Sequence, residues 1–239
     1  MKKTQGRGMT VTKISLNNNQ LKIVAMVSML LDHVGLMLLP QYTILRVLGR
    51  LAFPIFAYMI AEGCLHTKNR TRYFLHLLLP AVLIQAVYTF AMHSLYQNIL
   101  VTFSLSVITI FAIDRFAKKK TAVSCAVMAL ALAAVLFLSV VLPILLKDRG
   151  FAVDYGFLGV LLPVAVYFAP KKIWKIISVT VILLIRGILF GELKWFALLA
   201  IPLLLLYNGK RGKLKLKYLF YVFYPAHLVL LYVIELLIK

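Results

Sequence analysis

The chain has 239 residues, 63% of them hydrophobic and only 14% charged, with a formal net charge of +20. A soluble domain holds about 45–50% apolar and about 25% charged residues. At a mean hydropathy of +0.95 this chain carries more apolar surface than a soluble core hides, so lipid is its solvent and a soluble enzyme is excluded. The basic excess falls in short connections between apolar segments, as in membrane proteins that keep Lys and Arg on the cytoplasmic side. No nucleic acid partner is expected.

In a bilayer every backbone polar group must be paired within the protein, which leaves helices or a closed barrel. Stretches such as 21–39 and 122–142 are continuously apolar, whereas barrel strands alternate. The fold class is all-α, a polytopic transmembrane helical bundle. Residues 1–20 are expected to be a basic cytoplasmic segment and 21–239 a single transmembrane domain, with no repeat and no long linker. The basic start followed by an apolar stretch looks like a signal peptide, but the stretch is too long and lacks a small-x-small cleavage site, so a retained first helix is expected. Cys64 and Cys125 sit in separate apolar segments without metal-like spacing, and no metal is expected.

About 20 residues cross a bilayer, which predicts about nine spans: 21–39, 44–64, 73–93, 98–116, 121–142, 153–169, 173–190, 193–207 and 217–238. Pro143, Pro163, Pro170 and Pro202 fall at or near predicted ends. With the N-terminus in the cytoplasm, twenty Lys and Arg lie inside: five up to Lys22, three in 66–72, four in 115–120, three in 171–175 and five in 210–217. Only Lys147, Arg149, Lys194 and Lys239 lie outside, and Arg46, Arg50 and Arg186 fall within spans. This asymmetry predicts a multi-pass protein of the inner (cytoplasmic) membrane.

A charge at the bilayer centre costs about 2.5–3.5 kcal/mol, so the intramembrane polar residues need a reason. The first span holds Asp32 and His33; adjacent on a helix, they point about 100° apart and cannot form a simple dyad. The second holds Arg46 and Arg50, which share a face at i and i+4 and could snorkel outward or pair with Asp32 or Asp154. Pro54 frees the carbonyl of Arg50 and Pro225 that of Tyr221, each with a kink. At about 1.5 Å per residue, His33 and Arg50 lie about 9 Å from the outer ends of their spans and Arg186 about 6 Å. Asp154 lies at the outer rim and His227 near the midplane. These depths predict one cavity in the outer half of the membrane. Glu62 and Asp114, near the inner rim beside basic residues, are explained by local pairing, and His66, His76 and His93 by interfacial positions.

At these residues the sequence resembles the TraX family, named for the membrane protein that acetylates the N-terminus of F-type conjugative pilin. The resemblance runs from about Leu21 to Tyr232. It rests on Leu21-Lys-Ile-Val-Ala-Met with Asp32-His33-Val-Gly35, Arg46-x3-Arg50-Leu-Ala-Phe-Pro54-Ile-Phe56, Asp154-Tyr-Gly-Phe-Leu-Gly159 and Phe220-Tyr-x2-Tyr224-Pro-x-His227-Leu. The family is similar to a wider group of membrane acyltransferases that use cytoplasmic acetyl-CoA and in which a membrane-embedded histidine and arginines are implicated in catalysis. The resemblance thus implies acetyl-CoA as donor and, as acceptor, an amine or hydroxyl on a peptide, glycan or lipid.

A neutral imidazole can act as base, or carry acetyl briefly, near pH 7. The expected catalytic group is His33, supported by Asp32 or His227. Arg46, Arg50 and Arg186 would stabilise an oxyanion or bind donor phosphates, with Asp154, Tyr155, Tyr221 and Tyr224 lining the cavity. Two other classes stand beside this one. A transporter or flippase would use the same charges to bind an anionic solute, though the internal symmetry many transporters show is missing. A non-catalytic partner in a conjugation or secretion assembly is the third.

Overall fold

A computed structural model describes residues 15–90, 93–213 and 217–238; the side chains of Lys217, Tyr218, Phe220 and Tyr221 fall outside the described part, as do residues 1–14 of the basic N-terminal segment. Among the described residues the chain is helical, with no strand beyond two isolated bridges, Leu16 with Tyr207 and Gln97 with Val153. The all-α membrane bundle predicted from composition is what the chain forms.

Helix α1 (Asn18–Met37) opens with a capping box, in which the Asn17 side chain accepts from Gln20 N while Asn17 N donates to the Gln20 side chain. This pairing satisfies two of the donors that every helix start leaves free. Helices α2 (Thr43–Gly49) and α3 (Ala52–His66) replace the unbroken second span expected over 44–64. Pro54 has no N–H to give the Arg50 carbonyl, and its ring clashes there. The chain therefore tightens into i→i+3 bonds, Arg50 N to Val47 O at 3.2 Å and Leu51 N to Leu48 O at 3.4 Å. The expected kink is a break, placed at Arg50.

Then follow α4 (Arg70–Phe90), α5 (Ile99–Lys119) and α6 (Ala122–Leu136), which runs through a π-helical turn (Phe137–Val141) into α7 (Leu142–Leu145). Helix α8 (Gly156–Phe168) keeps Pro163 inside it rather than at its end. Helix α9 (Lys172–Phe190) precedes a 3-10 segment (Glu192–Leu199), α10 (Ala200–Leu205) and α11 (Lys217–Ile238). The 3-10 segment has 8 residues and α10 has 6. At rises of about 2.0 and 1.5 Å per residue they cover roughly 25 Å, more than an α-helix of that length would.

Helix α3 lies at the centre of the core: Ile55, Ala57, Tyr58 and Ala61 are buried with Leu21 and Ala25 of α1, Leu162 and Val166 of α8, Val179 and Leu183 of α9 and Leu204 of α10. Helices α4 and α6 lie outside and expose Leu79, Leu83 and Leu130, as lipid-facing surfaces must. Six helical stretches are long and apolar enough to cross a membrane: Asn18–Met37, Thr43–His66, Arg70–Phe90, Ile99–Lys119, Ala122–Leu145 and Lys172–Phe190. Gly156–Phe168 and Val222–Ile238 are shorter apolar helices.

Bonds between segments distant in sequence gather the basic connections at one end. Lys175 pairs with Glu62 at 2.7 Å, Arg70 pairs with Asp114, Lys172 donates to the Tyr207 carbonyl at 2.7 Å, and Asn18 N donates to the Lys210 carbonyl at 2.8 Å. Glu62 and Asp114 thus do pair with basic residues, as expected. The charge asymmetry predicts that this end is cytoplasmic, so a reporter active only outside the cytoplasm should be active when fused after Lys239 and inactive when fused within 210–217. A cytoplasmic readout from the C-terminal fusion would contradict this orientation.

Candidate functional site

At the end opposite the basic connections the bundle holds a cavity of about 850 Å³. Asp32, His33, Arg46, Arg50, Asp154, Tyr155, Arg186 and Tyr224, from α1, α2, α9, α11 and the turns before α3 and α8, all line it. The matched depths in the sequence anticipated this convergence. Of the other candidates, His227 reaches the site through His33, and Tyr221 lies in α11 with its side chain outside the described residues.

Asp32 turns to α2 rather than to His33. Its Oδ2 accepts from Arg46 Nη1 at 3.1 Å and its Oδ1 from Arg50 Nη2 at 3.0 Å, while Arg46 Nη1 also donates to the Asp32 carbonyl at 3.1 Å. One carboxylate therefore holds two guanidinium groups, which the i, i+4 spacing puts on one face. The close approach depends on Gly49: a Cβ there would overlap Asp32, its backbone included. Small residues let membrane helices meet this closely. Arg50 is buried, and its Nε has no hydrogen-bond partner among the described residues.

The two histidines meet across 194 residues of chain, His227 Nε2 to His33 Nδ1 at 3.2 Å. His33 Nδ1 also lies 2.9 Å from the Met29 carbonyl, and His227 Nδ1 lies 2.7 Å from the Phe223 carbonyl. A carbonyl oxygen only accepts, so in the neutral pair each Nδ1 carries the proton. The tautomer is assigned from this network. His227 Nε2 then accepts from His33, and His33 Nε2 has no hydrogen-bond partner among the described residues. The ring of Tyr224 stands edge-on to His33, with centroids 6.5 Å apart.

Across the cavity, Arg186 Nη1 donates to the Tyr155 carbonyl at 2.5 Å, and its guanidinium lies 4.6 Å from the Tyr155 ring centre and 5.7 Å from that of Phe53. Arg186 makes no ion pair within 4.0 Å among the described residues. Aromatic faces and a carbonyl hold the cation in place of a carboxylate. Tyr155 itself has φ of 61°, a conformation rare for a bulky residue, and its ring stacks on Phe53 with centroids 3.7 Å apart. Asp154 accepts from the Tyr96 hydroxyl at 2.7 Å, and its carbonyl accepts from Thr102 Oγ1 at 2.7 Å.

Sequence reasoning missed Tyr96, Lys194 and Glu235, which also line the cavity. Tyr96 and Lys194 lie outside the α-helices and Glu235 in the last turn of α11, where charge and aromatic character look merely interfacial. Among the described residues no group of three His, Cys, Asp or Glu could hold a metal ion. The arrangement offers a base, fixed cations and an apolar wall, the parts needed to take a proton and steady a developing anion.

The chain is also similar to known proteins. The profile of the TraX protein family matches residues 17–235. A protein of Dichelobacter nodosus described as a probable fimbrial assembly protein, FimC of serogroup H1, is 26% identical over 240 aligned residues, covering 89% of this chain and 93% of that one. An uncharacterized protein of Rickettsia prowazekii (strain Madrid E) is 40% identical over 52 residues, covering 22% of this chain and 21% of that one. No solved structure matches.

Proposed function

The chain belongs to the TraX protein family, and on that premise we propose that it is a membrane acetyltransferase of the cytoplasmic membrane, moving acetyl from acetyl-CoA to an amine or hydroxyl. The observation that carries this reading is the histidine pair: His33 Nδ1 is committed to Met29 and His227, which leaves His33 Nε2 as a base on a residue lining the cavity. In this reading His33 Nε2 takes the proton of the acceptor as its nitrogen or oxygen bonds to the thioester carbonyl carbon. The carbonyl electron pair moves onto oxygen, where Arg50 or Arg186 faces the new negative charge. As the carbon–sulfur bond breaks, the His33 imidazolium returns its proton to the departing thiolate. His227, accepting from His33 Nδ1, steadies the cationic ring between the two transfers.

The residues suit a thioester donor in one further respect. Asp32 already occupies Arg46 and one edge of Arg50, so the cationic groups are held in place before any substrate arrives, the preorganisation that makes fixed charges effective. The fimbrial-assembly description of the Dichelobacter relative favours a peptide amine over a glycan or lipid head group. The test is acceptor-dependent release of free thiol from acetyl-CoA by the purified, reconstituted protein; solute uptake without thiol release would favour a transporter.

A further inference from the structure

Arg186 and Lys194 both line the outer cavity, and neither makes an ion pair within 4.0 Å among the described residues. The carboxylates of that cavity are turned elsewhere: Asp32 holds Arg46 and Arg50, and Asp154 accepts from the Tyr96 hydroxyl at 2.7 Å. The fold itself brings the two cations together. Helix α9 ends at Phe190, and Gly191, with φ of 87°, turns the chain back. Lys194 N then donates to the Gly191 carbonyl at 3.0 Å. The Trp195 ring is laid on Gly187, where a Cβ would overlap it. Arg186 and Lys194 are each one residue from this contact, so the packing of the 3-10 segment on α9 sets them side by side.

Two like charges facing one cavity, one of them on the buried Arg186, raise each other's cost, and a bound anion would offset it. Resting on the acyl-transfer reading with a peptide amine as acceptor, we propose that Arg186 and Lys194 form an anion subsite for the acceptor: they hold a carboxylate from the first few residues of the peptide while its amine faces His33. Arg50, whose buried Nε has no partner among the described residues, is left to face the thioester oxygen. The charge of the acceptor favours this division. An N-terminal amine is mostly ammonium near pH 7, and these cations repel it. A carboxylate close to the amine cancels that charge, so an acidic N-terminus enters the cavity more readily than a neutral one.

The test compares peptides that differ only in Asp or Asn at the second or third position, with amidated C-termini. Acetylated at the amine, they cannot react, and calorimetry measures their binding to the full-length protein in phosphatidylcholine nanodiscs. Wild type should bind an Asp peptide about 10- to 100-fold more tightly than its Asn counterpart, the scale of charged hydrogen bonds. Lys194→Gln should lose most of this preference and Lys194→Arg should keep it. Lys147→Gln, in the connection between α7 and α8, should leave it unchanged. With free amines, kcat/KM for acetyl transfer should follow the same order. Equal binding of Asp and Asn peptides by wild type would overturn the subsite, and acetyl transfer to both would leave the acyl-transfer reading standing. A preference that Lys194→Gln keeps whole would overturn it too. An anionic phospholipid head offers the same charged oxygens, so a preference that disappears in phosphatidylglycerol discs would make the two cations a lipid site and overturn the proposal. The expected preference in binding, with no acetyl transfer to any free amine, would support the subsite and sink the acyl-transfer reading instead.

Discussion

Replacing His33 with alanine is expected to abolish acetyl transfer while the protein still inserts and folds. A general base typically contributes about 100- to 10,000-fold in rate. A hydrogen bond between membrane helices is worth only about 0.6 kcal/mol on average and at most about 1.7, and the cross-helix bond lost here is the one from His33 Nδ1 to His227 Nε2. A small apolar side chain costs nothing in lipid. The two roles for His33 therefore predict results that differ by orders of magnitude when activity is counted per folded molecule. His227→Ala should have the smaller effect, because it removes only the acceptor for the His33 Nδ1 proton and leaves the base in place. Activity of His33→Ala within about fivefold of the parent would remove His33 from the mechanism and move the base to His227.

Asp32→Ala should act on folding first. It leaves Arg46 and Arg50, now both held by this one carboxylate at 3.1 and 3.0 Å, facing each other without a counter-charge. Removing one partner of a buried ion pair costs about 3–5 kcal/mol, because the remaining charge stays desolvated. Arg50 is the more buried of the two, its side chain 8% exposed against 21% for Arg46, so it carries most of the penalty. The yield of monodisperse protein and its thermal midpoint in detergent should both fall. Adding Arg50→Met to Asp32→Ala should recover much of the loss without recovering acetyl transfer. An Asp32→Ala protein as stable as the parent but inactive would instead give Asp32 a direct part in the chemistry.

Much of this site could be read from the chain because charge in a bilayer is costly enough to be noticed. Asp32, Arg46, Arg50 and Arg186 stand out against apolar neighbours, and helix rise alone puts His33, Arg50 and Arg186 at similar depths, about 6–9 Å from the outer ends of their spans. The i, i+4 spacing of the arginines, with Asp32 one span away, made their pairing one of two outcomes to expect. The contact between His33 and His227 was not legible in its geometry, since no local spacing relates residues 194 positions apart. The sequence also gave no cue to which face each histidine presents; the carbonyls of Met29 and Phe223 decide that.

The break at Arg50 had a visible cause in Pro54, but a proline reads equally as a kink, and only the packing of α2 against α1 selects the break. Gly49 was visible as a glycine and silent as to purpose, because what it admits, the backbone of Asp32, belongs to another helix. The span reading was strongest where segments run long, as in α1 and α5, and weakest from the fifth predicted span to the eighth, the short 193–207. There the chain makes up length by winding part of the segment as a 3-10 helix, a choice that hydropathy does not encode. The π-helical turn at Phe137–Val141, where the buried Ser139 hydroxyl donates to the Val135 carbonyl at 2.6 Å, likewise has no signature in an apolar run.

The most direct measurement follows labelled acetyl from acetyl-CoA to an acceptor, using purified protein in nanodiscs with peptides bearing a free N-terminal amine, matched against peptides whose amine is blocked. The account predicts label on the free-amine peptide, free thiol released in equal amount, and neither product from His33→Ala at the same concentration of folded protein. Folded wild-type protein that binds coenzyme A but labels no amine or hydroxyl acceptor, and releases no thiol, would contradict it.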